Sequence, residues 1–184
     1  MTKHILILEG SPRKKGNSCT LAEQAAKGVR AAGGEADVVF LQGLKIAPCN
    51  SCDACRKNGI CTIKDDMQTL YPKLAEADGL ILASPIFWFT YSAQLKTCID
   101  RWYSLWNSKH DFLKGKPVGV TLTYGDTDLF TSGGINAIHT LDTMFDFLGA
   151  KVDWVYGSLM DIGDAEKDPE LMASALALGK KIVS

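Results

Sequence analysis

Apolar positions in this chain fall into two alternating kinds, short unbroken runs and longer stretches with a helical repeat. Ile5, Leu6, Ile7 and Leu8 form the first run, as expected of a strand covered on both faces. Gly10, Ser11 and Pro12 interrupt it, and Leu21, Ala22, Ala25 and Val29 then repeat with helical spacing until Gly33 and Gly34. A second run covers residues 38–41. Residues 42–63 show no periodicity and read as a functional loop or insertion. Asp65 and Asp66 begin a helix with Leu70, Leu74 and Ala77 on one side. The third strand is GLILA, residues 79–83, stopped by Ser84 and Pro85 and followed by an aromatic loop, IFWFT. Residues 91–106 form one helical pattern, with Leu95, Ile99, Trp102 and Leu105 or Trp106 facing inward. Pro117 precedes a fourth strand at 118–123, and TYGDTDLFTSGG is a loop. Ile135, Ile138, Leu141, Phe145 and Leu148 mark the next helix. A fifth strand at 152–156 and a helix through Leu171, Ala175, Leu178 and Ile182 complete the pattern.

Five strands alternating with helices predict an α/β fold, a doubly wound five-stranded parallel sheet with helices on both faces. With a candidate phosphate loop after strand one, the flavodoxin-like strand order 2-1-3-4-5 is expected, as a single domain over residues 1–184 with a cysteine-rich loop at 47–63. Ligands of such sheets sit at the carboxyl ends of the strands, so residues 10–18, 84–91 and 124–134 are expected to share one site.

Composition narrows the class. The 184 residues carry a formal net charge of -1, with 22% charged and 46% hydrophobic residues, which excludes a basic nucleic-acid surface or an acidic tail. Residues 1–8 lack a signal-peptide layout and no apolar stretch reaches membrane-spanning length. A cytoplasmic protein is expected, working without nucleic acid or membrane. There, six cysteines are reduced, metal-bound or redox-active rather than paired.

The stretch HILILEGSPRKKGNSCT carries the first candidate chemistry. Arg13, Lys14 and Lys15 put three positive charges in a loop without an acid, Gly16 lets the backbone approach a ligand closely, and Asn17 or Ser18 can cap the following helix. A helix start offers unpaired N–H groups and partial positive charge to a phosphate. The spacing matches neither a Walker loop nor GxGxxG, and a polar βα turn with an ordinary cap is the plain alternative. Phe87, Trp88 and Phe89, beside it in the predicted fold, suit a planar heteroaromatic ring, or else plug a core or bury a subunit interface. Trp102 and Trp106, four apart on the next helix, suit packing or association, and of the two the interface reading is expected for both.

Four stretches, GSPRKKGNS at 10–18, KDDM at 64–67, SPIFWFTYSAQLKTCIDR at 84–101 and TYGD at 123–126, resemble the NAD(P)H-dependent FMN reductase-like flavoproteins, which have a flavodoxin fold. The resemblance implies that Ser11, Arg13, Asn17 and Ser18, with the Cys19 backbone, hold the FMN phosphate. It also implies that Pro85, Ile86, Phe87 and Trp88 flank the flavin ring, and that Tyr124, Gly125 and Asp126 border its other edge. Relatives are commonly dimers or tetramers, so a homodimer or homotetramer is expected.

Cys49, Cys52, Cys55 and Cys61 form C-x2-C-x2-C-x5-C. Repeated close thiolates suit one cluster or soft metal ion, and the first three resemble a ferredoxin run. The spacing is similar to the compact cysteine motif of iron-sulfur flavoproteins, which place a [4Fe-4S] cluster near FMN. A cluster, a structural zinc ion and free thiols all remain open. Cys98 and the Cys19 side chain read as buried packing groups. His4, His110 and His139 are isolated, and Asp126 and Asp128 read as loop or capping residues. No protein acid, base or nucleophile stands out as catalytic, as expected if a flavin carries the chemistry. The expectation is an oxidoreductase passing electrons from NAD(P)H through FMN, with or without a [4Fe-4S] cluster, to a small-molecule or ferredoxin-type acceptor. The alternatives are a flavodoxin-like carrier without a pyridine-nucleotide site and a zinc-stabilised binding protein.

Overall fold

A computed structural model describes residues 2–184. Its strands are β1 (His4–Glu9), β2 (Glu35–Phe40), β3 (Gly79–Phe87), β4 (Thr90–Tyr91), β5 (Pro117–Tyr124) and β6 (Lys151–Ser158). The helices are α1 (Asn17–Ala31), α2 (Cys55–Asn58), α3 (Met67–Glu76), α4 (Ala93–Asp100), α5 (Trp102–Ser108), α6 (Gly134–Phe147) and α7 (Pro169–Val183). Strands β2-β1-β3-β5-β6 run parallel in that order. The expected five-stranded count is corrected to six, because Thr90–Tyr91 pairs antiparallel with the end of β3.

The unbroken apolar runs split by alternation between two cores. Leu6 and Leu8 of β1, Leu80 and Leu82 of β3, and Val118, Val120 and Leu122 of β5 face α3 to α6. Ile5, Ile7, Ile81 and Ala83 face α1 and α7. Successive side chains of a strand point to opposite faces, so a strand buried on both must be apolar throughout.

Two boundaries differ from expectation. Strand β3 runs through Pro85, which Ser84 and Pro85 were expected to prevent. Pro85 pairs only with Thr123 on β5, because β1 has already ended opposite Ala83, so no N–H is demanded on that side. The helical pattern at 91–106 is two helices divided at Arg101, with Tyr91 left in β4. Trp102 is buried among Phe112 and Phe145, so it packs this chain's own core and not an association surface. Trp106 lies in an outer group with Tyr103, His110 and Phe147. Among the described residues, no helix is long and apolar enough to cross a membrane.

Candidate functional site

At the carboxyl ends of β1, β3 and β5 the chain turns into three loops around a cleft of about 270 Å³. Buried hydroxyls draw the loops together. Ser92, the N-cap of α4, donates to Gly10 O at 2.6 Å and accepts from Leu95 N, while its own N–H donates to Ser84 Oγ at 2.9 Å. Gly10 N donates to Ala83 O at 2.7 Å. The first loop is therefore fixed to the third strand before any ligand arrives.

Within that loop Ser11 Oγ accepts from Arg13 N and donates to Arg13 O, each at 3.0 Å, closing the turn on itself. Gly16 follows as the N-cap of α1, and no side chain caps it and no acid lies in the first turn. A Cβ at Gly16 would stand 2.9 Å from Ser11 Oγ, so the closeness of the turn requires glycine. The helix start is open to an anion, with Arg13, Lys14 and Lys15 exposed around it. This arrangement fits a phosphate group.

Ser11, Arg13, Asn17, Ser18, Pro85, Ile86, Phe87, Tyr124 and Gly125 all line the cleft. Trp88 and Asp126 do not; they line an adjoining hollow that shares Ile86, Tyr124 and Gly125 with it. Cys19 lies beneath, 2% exposed, its thiol pushed up to about 12 by burial and by Glu9. Asn17 is already engaged. Its Nδ2 donates to Asp161 O at 2.8 Å and its Oδ1 accepts from Gly163 N and Ala165 N. The side chain thus docks the segment after β6 onto the cleft, and Leu159, Met160, Asp161 and Ile162 form a wall that sequence patterns did not indicate. The one available signal was the placement of β6 beside β5 in the predicted sheet.

Trp88 and Phe89 join β3 to β4 with φ of 46° and 67°. Both central positions of such a tight hairpin need positive φ, which normally selects Asn and Gly. Two aromatic residues there carry backbone strain. Trp88 is 92% exposed, so its own packing does not offset that strain. Below the first loop, Glu9 is 4% exposed with Oε1 unpartnered among the described residues. Burial pushes its carboxyl up to about 7.

The four motif cysteines line a second pocket that shares no residue with the cleft. None of them is paired in a disulfide. The loop wraps through Ser51 and Asp53, both with left-handed φ, into the single turn of α2. Burial raises the Cys55 thiol, and the neighbouring Cys61, Cys49 and Cys52 add to the shift. Cys52, at the surface, is lowered by the Ala54 N–H and Thr62. The thiols share the pocket without converging on one point: among the described residues, no three His, Cys, Asp or Glu side chains are placed for a single metal ion.

Side chains from α4 and α5 attach this loop. Arg101, at the junction of the two helices, is 1% exposed and forks onto Asp65 at 2.6 and 3.1 Å. Ser104 donates to Gly59 O at 2.8 Å, and at Gly59, φ 72°, a Cβ would lie 2.2 Å from Ser108 Cβ. Two sites are thereby tied to opposite ends of one helix, the phosphate loop through Ser92 and the cysteine loop through Arg101. Helix α4 has eight residues, and at a rise of 1.5 Å per residue it is about 12 Å long.

A family model described as NADPH-dependent FMN reductase matches residues 4–153. An iron-sulfur flavoprotein of Methanosarcina thermophila is 41% identical over 118 residues, covering 64% of this chain and 61% of that protein. The chain therefore spans about three-fifths of the length of this curated relative. A putative NAD(P)H-dependent FMN-containing oxidoreductase of Bacillus subtilis, YwqN, is 28% identical over 183 residues, with 96% of this chain and 97% of the relative covered. Among solved structures, an NAD(P)H:quinone oxidoreductase from Methanothermobacter marburgensis superposes with a TM-score of 0.75 at 17% identity, covering 99% and 98% of the two chains, a likeness of fold. With the family model covering most of its length and the cleft in the position the fold requires, this chain belongs to the NADPH-dependent FMN reductase family.

Proposed function

We propose that the chain is an FMN-dependent oxidoreductase that takes electrons from NAD(P)H and passes them, through a [4Fe-4S] cluster on Cys49, Cys52, Cys55 and Cys61, to an acceptor. The observation that carries the flavin reading is the uncapped, acid-free start of α1 facing a cleft walled by β3 and β5. The N–H groups of the first turn, the Ser18 hydroxyl and the Arg13 guanidinium are the phosphate donors in this reading. Ser11 and Asn17 act differently: Ser11 shapes the turn and Asn17 holds the 159–162 wall. Pro85, Ile86 and Phe87 line the ring on one side and Tyr124 and Gly125 on the other. Trp88 and Asp126, in the adjoining hollow, form the mouth. Exposed Trp88, Phe89 and Phe130 support a homodimer or homotetramer that closes over it.

When bound, FMN supplies the hydride-accepting atom and the cluster one-electron transfer. The chain's residues bind phosphate, orient the ring and exclude water; none needs to act as an acid, base or nucleophile. Helix α4 joins the anchors of the two sites, with Ser92 at its start and Arg101 at its end, which supports their working as one unit. A ferredoxin-type protein or a small molecule is the acceptor class.

The test is anaerobic steady-state oxidation of NADH and NADPH by FMN-loaded protein, with ferricyanide supplied in excess as the electron acceptor. Turnover with either is expected; none with both would leave a flavodoxin-like carrier. A protein unable to take up FMN would reject the flavin reading altogether.

A further inference from the structure

Arg101 makes an unusual set of contacts for a residue between two short helices. Nη1 donates to Ala47 O at 2.8 Å and to Asp65 Oδ2 at 2.6 Å. Nη2 donates to Asp65 Oδ1 at 3.1 Å, Ile63 O at 3.5 Å and Cys61 Sγ at 3.3 Å. Ala47 stands two residues before the first motif cysteine, and Cys61, Ile63 and Asp65 run out from the last. One buried guanidinium thus closes both strands of the cysteine loop at its neck. Asp65 completes the closure by accepting from Ala47 N at 2.8 Å and Met67 N at 3.1 Å. The Tyr71 hydroxyl donates to Arg101 O at 3.4 Å from beneath.

The same contacts make the four cysteines unequal. Among the described residues, Cys61 is the motif cysteine that accepts a hydrogen bond from a fixed cation. Cys52 meets the Ala54 N–H and Thr62, at 3.6 Å, neither of them a cation, and both Cys49 and Cys52 are exposed. A planar guanidinium already locked on a carboxylate cannot swing away, and its charge is held beside one sulfur.

We propose that Arg101 is a positioning residue for the thiolate site: it clasps the neck of the cysteine loop and, through its bond to Cys61, raises the reduction potential of the cluster bound there. This rests on the cluster reading of the four cysteines. Accepting one electron adds one negative charge to a site already crowded with thiolates, and a hydrogen-bonded cation on a ligand sulfur stabilises that added charge. Arg101 lines the cysteine pocket and not the cleft, so its effect belongs to the cluster and not to FMN.

The test compares wild type, R101M, R101K and D65N after anaerobic loading with iron and sulfide. Readouts are iron and sulfide per chain, cluster potential, the electron paramagnetic resonance spectrum of the reduced state, and FMN affinity. R101M is expected to hold iron about 10- to 100-fold more weakly, with a lower potential in the fraction that loads and unchanged FMN affinity. R101K keeps the charge without the fork and is expected to load nearer to wild type, with a smaller fall and an altered spectrum. D65N, which frees the guanidinium, is expected to lie between them. Wild-type iron affinity, potential and spectrum in R101M would overturn the proposal. If R101M does not fold, the same result in R101K would do so. A wild-type protein that takes up neither iron nor sulfide sinks the cluster reading, and this proposal with it; a loaded wild type with unaltered variants sinks only the role of Arg101.

Discussion

The cleft is made of loops held by a continuous sheet, whereas the cysteine loop is backbone held by a handful of side chains. At the cleft, β1, β3 and β5 set the loop ends, and Ser84 and Ser92 fasten backbone to backbone across them. Around the cysteines, secondary structure amounts to one turn, and attachment falls to Arg101, Asp65, Asp66 and Ser104. A site built on a sheet tolerates losing a single side chain. A site hung from a buried ion pair does not, because removing one partner leaves the other charge desolvated and unpaired.

The largest expected effect is at that ion pair. Asp65→Ala should cost about 3–5 kcal/mol in stability, read as a fall in the urea midpoint, against little change for Ser18→Ala in the cleft. Equal losses at the two positions would break the contrast.

Titration should separate the regions in opposite directions. Glu9, under the phosphate loop, keeps its proton in the folded chain up to about pH 7, against 4.5 for the free group. Between those values the unfolded chain has lost the proton and the folded chain has not, so stability falls as pH rises through the window. The shift corresponds to about 3 kcal/mol, and Glu9→Gln should flatten the slope in denaturation of the apoprotein from pH 4.5 to 7. Burial raises the Asp65 carboxyl, but bonds from Arg101 and the Ala47 N–H outweigh it and hold it below 3.8. Its contribution is full above that value and is lost as pH falls through the lowered one. Glu9→Gln should leave this acid limb intact.

Arg13→Ala should weaken FMN binding by about 2 kcal/mol, near thirtyfold, through loss of a charge-assisted phosphate contact. Fluorescence titration checks this, and unchanged affinity would move the phosphate elsewhere. The smallest effect is a gain: Trp88→Asn should stabilise the dissociated single chain by about 1 kcal/mol, since Asn accepts positive φ and the indole is exposed within the chain. Loss of stability would show that the strain at the turn is already relieved.

The sheet was legible because a strand covered on both faces must be apolar throughout, and the helices because one face repeats. The short strand Thr90–Tyr91 was not, since two residues carry no period and Tyr91 looked like the start of a helix. Nor was the break at Arg101, where the apolar spacing continues across the junction. In the candidate site, the basic glycine loop at the start of α1 and the aromatic run after the third strand could be read locally, whereas the assignment of Ser11, Arg13, Ser18, Pro85, Ile86 and Phe87 as ligand contacts came from the family resemblance. The engagement of Asn17 with Asp161 could not, because its partners lie more than a hundred positions away.

Local chemistry alone determined the alternation of strand and helix, the acid-free glycine turn at the start of α1, and four thiols at close spacing. These depend on neighbours within a few residues, which the order of the chain already states. Only the tertiary structure decided that Arg101 closes a loop 36 to 54 positions away, that the segment after β6 walls the cleft, and that Glu9 is buried without a full set of partners. Such contacts arise when distant elements pack, and a hydrogen bond across the fold leaves no periodic trace in the sequence.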